Sequence, residues 1–257
     1  MSRNIVVGAL RFFGFHICNF LLEKGQRVAG IEWDMKSVEH QEAKEMFIGR
    51  NANFSLLTEN HSFLIEEDDN IYISIYDYLL EEDRSCFLFF LETLNRFTPS
   101  SFQIQCKVYI FIPRNLPEEY NDQIESWKNA LPPNASYQWI YISDLYGPWI
   151  STTSNIQKNM LGEQHEIDMS HSIYIDDFLS HLEAIQQSGS LIVNVEPKYN
   201  EGWRKDYAEF FKVEATVESS KQNDDDAFIV TTNTTLIKGL QQLAKHNDKI
   251  KFLDQWK

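Results

Sequence analysis

The segment Ile5-Val6-Val7-Gly8-Ala9-Leu10-Arg11-Phe12-Phe13-Gly14 decides the fold of this 257-residue chain. A short β-branched run breaks at one glycine, and a second glycine follows six residues later. Helix-spaced apolar residues then run from Phe15 to Glu23. This order reads as strand, tight turn and helix N-terminus, the geometry in which backbone N–H groups and the helix dipole hold a pyrophosphate. The spacing G-x-x-G-x-x-G would put glycine at position 11, where the chain carries Arg11.

Outward from this segment, strand and helix patterns alternate. Strands are expected at Asn4–Gly8, Arg27–Glu32, Ile71–Ile75, Lys107–Ile112, Tyr137–Ile142 and, as the last, Leu191–Val195. A third strand falls at Phe54–Leu57 or at Ser62–Ile65. Helices are expected at Gly14–Lys24 (closed by Gly25), Glu39–Ile48, Leu79–Phe97, Glu118–Leu131, Asp176–Gln187 and Thr235–Ala244. Regular β–α alternation with buried strands implies an α/β fold: a doubly wound, Rossmann-like parallel sheet. The expected division is a Rossmann-like domain over 1–200 and a small C-terminal lobe over 201–257 packed on it. The polar run Lys221–Asp226 reads as a loop.

Composition narrows the partners. A net charge of −15 and a pI near 4.9 argue against nucleic acid and anionic membranes, both of which attract basic surfaces. Cys18, Cys86 and Cys106 lie in apolar surroundings without C-x-x-C spacing, as expected of reduced thiols in a cytoplasmic protein. The longest apolar run, Cys86–Leu91, is far too short to span a bilayer. The apolar stretch Cys86–Phe97 would suit either packing on the sheet or a homodimer interface.

Five segments in the right order resemble the extended short-chain dehydrogenase/reductases, the NAD-dependent epimerase/dehydratase group. Gly8–Gly14 resembles the cofactor turn, and Gly25-Gln26-Arg27-Val28-Ala29-Gly30-Ile31-Glu32 the second strand with its terminal acid. Tyr146-Gly147-Pro148 resembles the loop after the sixth strand, His171-Ser172-Ile173-Tyr174-Ile175-Asp176-Asp177 the "hxVDD" segment, and Thr235–Leu240 the closing "sleeGL" helix. The turn is closest to the G-G-T-R-F-x-G form of an atypical branch.

The resemblance implies a cofactor site at Gly8, Arg11, Phe12, Phe13, Gly14 and Glu32. The Arg11 guanidinium could meet a phosphate, or its side chain could obstruct the pyrophosphate. A carboxylate at Glu32 would hydrogen-bond ribose hydroxyls and repel a 2′-phosphate, implying NAD over NADP if a cofactor is held at all.

The catalytic set of such enzymes is missing. They use a Ser/Thr with Tyr-x-x-x-Lys, the lysine lowering the tyrosine's pKa. Here Pro113-Arg114-Asn115 stands where the serine would be, and Ile124 lies four residues after Tyr120. Lys128 lies two turns up, about 12 Å away by helical rise. Only the 24 residues from 113 to 136 separate the flanking strands, too few for the usual loop and helix.

Other groupings are weaker. His165, Asp168 and His171 lack metal-ligand spacing, so no metal site is expected. Asp176 reads as a helix cap. Tyr146 and Trp149, at the sheet's C-terminal edge, read as pocket residues.

The sequence thus favours an epimerase/dehydratase-like pseudoenzyme without efficient hydride transfer, which either binds a dinucleotide or nucleotide sugar without turnover or acts as a scaffold or regulator in a biosynthetic pathway. Its expected partner is a small nucleotide or nucleotide sugar, with weak NAD binding. The alternative is an active NAD-dependent epimerase, dehydratase or reductase using Tyr120 as acid/base.

Overall fold

The computed structural model describes residues 3–34, 38–57, 65–66, 68–80, 84–101, 106–132, 135–163, 165, 167–198, 200–212 and 226–254. The chain opens with strand β1 (Asn4–Val7), whose four residues are all buried, and turns at Gly8, where φ is +80°. Helix α1 (Phe12–Glu23) follows. It closes in a paired-carbonyl stop: Gly25 N donates to Leu22 O at 2.9 Å, and Gln26 N to Leu21 O at 3.0 Å. Gly25, at φ +72°, supplies the left-handed residue that this ending requires.

Strand β2 (Val28–Ile31), helix α2 (Gln41–Ile48), strand β3 (Phe54–Leu57) and strand β4 (Asn70–Ser74) come next. Helices α3 (Ile75–Leu80) and α4 (Arg84–Ser101) lead to β5 (Lys107–Pro113), α5 (Glu118–Ala130) and β6 (Ser136–Ile142). Then follow β7 (Leu145–Tyr146), α6 (Asn155–Met160), β8 (Ile173–Tyr174), α7 (Ile175–Gln187) and β9 (Ile192–Pro197). The described chain ends with α8 (Trp203–Phe211), β10 (Phe228–Val230) and α9 (Leu236–Asp254).

Among the described residues, eight strands form one mostly parallel sheet in the order β10-β9-β6-β5-β4-β1-β2-β3, with flanking helices. β7 and β8 form a separate parallel pair. The expected Rossmann-like α/β architecture is therefore present. β1 lies between β2 and β4, with Asn4 opposite Val28 on one side and Asn70 on the other.

The chain divides into two compact units, Met1–Tyr141 with Gly189–Ile192, and Ile142–Ser188 with Val193–Lys257. In the first unit Ile5, Val7, Ile71, Ile73, Val108 and Ile110 form the centre of a core joined by Phe87, Phe90, Trp127 and Trp139. β-Branched residues on adjoining buried strands give this layer its shape.

Four expectations need correction. The helix expected over 79–97 is two helices, because β4 stops at Ser74 and that serine starts α3 one turn earlier. Leu191–Val195 is not the last strand, since β10 pairs beside β9 with Phe228 opposite Val195. The closing helix runs to Asp254 rather than Ala244. Asp176 does not cap α7: the cap position is Tyr174, which makes no side-chain cap bond, and Asp176 sits inside the first turn. Of the alternatives for the third strand, Phe54–Leu57 is the strand observed, and positions 62–64 lie outside the described residues. So does most of the run Lys221–Asp226.

Candidate functional site

Gly8 and Gly14 bring β1 and α1 together. A Cβ at Gly14 would stand 2.0 Å from the Gly8 carbonyl oxygen, so only glycine allows this approach. The turn is held from inside: Gly8 N donates to Ile31 O at 2.9 Å, and Arg11 N to Gly8 O at 3.1 Å. Arg11 occupies the cap position of α1 in extended conformation and gives no side-chain cap.

The cap comes instead from Asp77 on α3. Phe13 N donates to Asp77 Oδ1 at 2.7 Å and Gly14 N to Asp77 Oδ2 at 2.9 Å. Ser74 Oγ donates to the same Oδ2 at 2.8 Å, while Asp77 N donates back to Ser74 Oγ at 3.3 Å. Ser74 thus caps α3 by accepting the Asp77 amide, and the Asp77 acid also closes the N-terminus of α1. Burial pushes the Asp77 carboxyl above its ordinary range, against the pull of the Phe13 and Gly14 amides, the Ser74 hydroxyl and the Arg11 charge.

Beside it lies a second buried group. Arg11 Nε is 3.3 Å from Glu32 Oε1, and the two side chains are 1% and 0% exposed. The guanidinium carbon sits 4.0 Å from the centre of the Tyr78 ring, a cation–π position. Glu32 also accepts the Tyr78 hydroxyl at 3.2 Å and the Leu10 amide at 3.3 Å. Tyr78 in turn stacks on Phe90 at 3.7 Å. Burial first, and Glu32 second, raise both the Tyr78 phenol and the Cys18 thiol well above their ordinary values.

The residues expected at the turn are brought together: Gly8, Arg11, Gly14 and Glu32 meet within one buried network. Phe13 contributes its backbone amide here, and the rings of Phe12 and Phe13 pack elsewhere. Phe12 packs on His16 at 5.5 Å, and Phe13 edge-on to Phe111 at 4.9 Å. Ser74, Asp77 and Tyr78 were not singled out by the sequence reading. The Ser-x-x-Asp spacing after an apolar strand was the signal available for the first two.

Tyr120 lies in the apolar core of the first unit, with its ring edge-on to Phe87 at 4.6 Å. Lys128 points elsewhere, 3.2 Å from Glu125 and 5.1 Å from the Trp139 ring. These placements do not assemble a tyrosine–lysine pair.

The second unit contains a cavity of about 230 Å³ lined by Tyr146, Ser170, Tyr174, Lys198, Asn200 and Asp206, with the start of α9 at its edge. The Tyr146 and Tyr174 rings meet edge-on at 5.5 Å. Tyr146 is pinned by Gly239, where a Cβ would come within 2.6 Å of the Tyr146 hydroxyl. Burial, with Asp177, Tyr174 and Asp206 nearby, raises the Tyr146 phenol. The Ser170 hydroxyl is buried and makes no hydrogen bond among the described residues. Trp149 is not among the lining residues; it takes a left-handed backbone (φ +67°) and packs on His246 at 4.4 Å.

Asp177 accepts the Thr234 amide at 3.0 Å and fixes the approach to α9. His165 approaches Glu163 at 3.2 Å. No group of three or more His, Cys, Asp or Glu side chains among the described residues could hold a metal ion. Among them, too, no helix is long and apolar enough to cross a membrane.

No protein-family model and no curated protein sequence matches this chain. Solved structures do match, over nearly its whole length. MoeE5 in complex with UDP-glucuronic acid and NAD has a TM-score of 0.62 at 12% identity, covering 97% of this chain and 100% of that one. The UDP-glucose 4-epimerase of Thermotoga maritima, solved with UDP-glucose, has a TM-score of 0.58 at 14% identity, covering 97% and 100%. The NAD-dependent NDP-hexosamine 5,6-dehydratase TunA has a TM-score of 0.60 at 14% identity, covering 97% and 98%. The chain shares its fold with these epimerase and dehydratase structures.

Proposed function

We propose that this chain is a non-redox protein of the epimerase/dehydratase fold that holds the sugar part of a nucleotide sugar in the cavity of its second unit. The observation that carries the reading is that cavity. It offers two aromatic rings, a buried hydroxyl awaiting a partner, the amide of Asn200, and charges of both signs in Lys198 and Asp206. Mixed donors and acceptors beside ring edges suit a neutral, hydroxyl-rich molecule better than an ion. At about 230 Å³ the cavity is below the usual range of about 300–1,000 Å³ for whole-ligand sites. It therefore takes a sugar-sized moiety, not a dinucleotide.

The UDP-sugars in the matching structures support the substrate class. The placement of Tyr120 in the core and of Lys128 beside Glu125 supports a protein without tyrosine-based proton transfer.

Calorimetric titration with UDP-glucose and with free glucose tests the reading. Saturable binding of UDP-glucose, weakened about 5-fold or more in Ser170→Ala, is expected, since the lost hydroxyl bond is worth roughly 1 kcal/mol. Because that hydroxyl has no partner among the described residues, Ser170→Ala should unfold at the same denaturant concentration as wild type. Absence of saturable binding by either sugar ends the proposal.

A further inference from the structure

A strand–turn–helix junction that holds a dinucleotide offers free amides at the helix start, room beside the second glycine position, and an acid after the second strand for the ribose. In this chain each of the three is engaged from within. The Phe13 and Gly14 amides donate to the two oxygens of Asp77. The second glycine position carries Arg11, whose side chain is buried over the Tyr78 ring. Glu32, the ribose acid, already accepts from Arg11, Tyr78 and the Leu10 amide.

We infer that the turn is closed by the protein's own groups and does not take a nicotinamide dinucleotide. Asp77 stands in for the ligand's phosphate at the α1 N-terminus, and Arg11 with Glu32 and Tyr78 fills the approach. The alternative, in which Arg11 swings out to meet a phosphate, leaves Glu32 in a buried site without its guanidinium. Uncompensated buried charge is strongly disfavoured. Displacing Asp77 is opposed in the same way, since its oxygens would give up two amides and the Ser74 hydroxyl while staying buried. The residues present therefore do not fit the cofactor that the matching structures contain.

The test uses the wild-type chain and Asp77→Asn. NADH and NADPH are titrated while fluorescence is followed, and melting is recorded with and without inorganic pyrophosphate. In the wild type neither nucleotide should saturate below about 1 mM, the weak limit of ordinary binding. Pyrophosphate should not shift its melting, and the Phe13 and Gly14 amides should exchange hydrogen as slowly as the core strands. Asp77→Asn keeps the shape but can accept only one of the two amides, so at least one of them should lose protection at least tenfold and pyrophosphate should raise its melting temperature.

Saturable NADH binding by wild type, or fast exchange of these two amides in it, overturns the inference. Both are read on wild type, so the outcome stands even if Asp77→Asn does not fold. The readings concern the first unit alone, and a failed UDP-glucose titration leaves them unaffected.

Discussion

The Asp77 carboxylate accepts the Gly14 amide at 2.9 Å, joining residues 63 apart in the chain. With the Phe13 contact, this single side chain of α3 caps the N-terminus of α1 and fixes the β1–α1 turn. Its deletion should be costly. Asp77→Ala should lose about 2–3 kcal/mol, since a helix cap and two buried amides go unsatisfied together. Asp77→Asn should lose less, because its carbonyl oxygen still accepts one of the two. Urea unfolding with an unchanged slope measures both, and a loss under about 0.5 kcal/mol for the alanine variant would rule out this capping role.

Arg11 and Glu32 make a second prediction. Either single change, Arg11→Leu or Glu32→Gln, leaves a buried charge or donor without its partner and should cost about 3 kcal/mol. The double variant should cost less than the sum, with a coupling of at least about 1 kcal/mol in a double-mutant cycle. Additive losses would mean that the two side chains do not depend on each other. A surface arginine would give losses within about 0.5 kcal/mol, the usual range for exposed positions.

The sheet was legible because its strands announce themselves: Ile5-Val6-Val7 and Val108–Ile112 are β-branched or aromatic runs too apolar for a surface. Backbone geometry at Gly8, Gly14 and Gly25 was legible for the same local reason. The chemistry of the turn was not. Whether Arg11 meets solvent, phosphate or Glu32 depends on Tyr78 and Asp77, which arrive from α3 after more than sixty intervening residues. The Ser-x-x-Asp spacing looks local in sequence, and nothing in it reveals that the acid serves a second helix. The surroundings of Tyr120 were not legible either: near the place the resembled family uses for its tyrosine, it packs on Phe87 within the apolar core.

Alkaline pH should weaken the first unit through the same network. The Cys18 thiol and the Tyr78 phenol both ionise at higher pH in the folded chain than in the unfolded one, burial being the main cause and Glu32 the next. Their contribution is therefore complete below the unfolded thiol value of about 8.5 and is lost as pH rises beyond it, the unfolded chain releasing the proton first. Stability should fall by up to about 1.4 kcal/mol per pH unit for each such group. Cys18→Ala should flatten the curve between about pH 9 and pH 10, before the phenol contributes. A thiol reagent at pH 8 should leave Cys18 unmodified until denaturant is added, and prompt modification of the native chain would refute the burial that sets these directions.

Two glycines of the turn region separate close approach from backbone conformation. Gly14 lies in α1, where alanine is normally the better helix former by about 1 kcal/mol. Its missing Cβ, however, leaves room for the Gly8 carbonyl, and an added Cβ would have to sit 2.0 Å from that oxygen. Gly14→Ala must push α1 away from β1, and doing so stretches the Asp77 contacts on either side. Gly25 meets nothing within 4 Å but holds φ at +72°. Gly25→Ala therefore pays only for a left-handed alanine, about 1–2 kcal/mol. The expected order is a larger loss for Gly14→Ala, about 3 kcal/mol or more, of the size of other overpacked core sites. Gly14→Ala should also release the Phe13 and Gly14 amides to hydrogen exchange, which Gly25→Ala should not. Equal losses, or intact protection in Gly14→Ala, would mean that the close packing of this helix on its strand is not what positions the Asp77 cap.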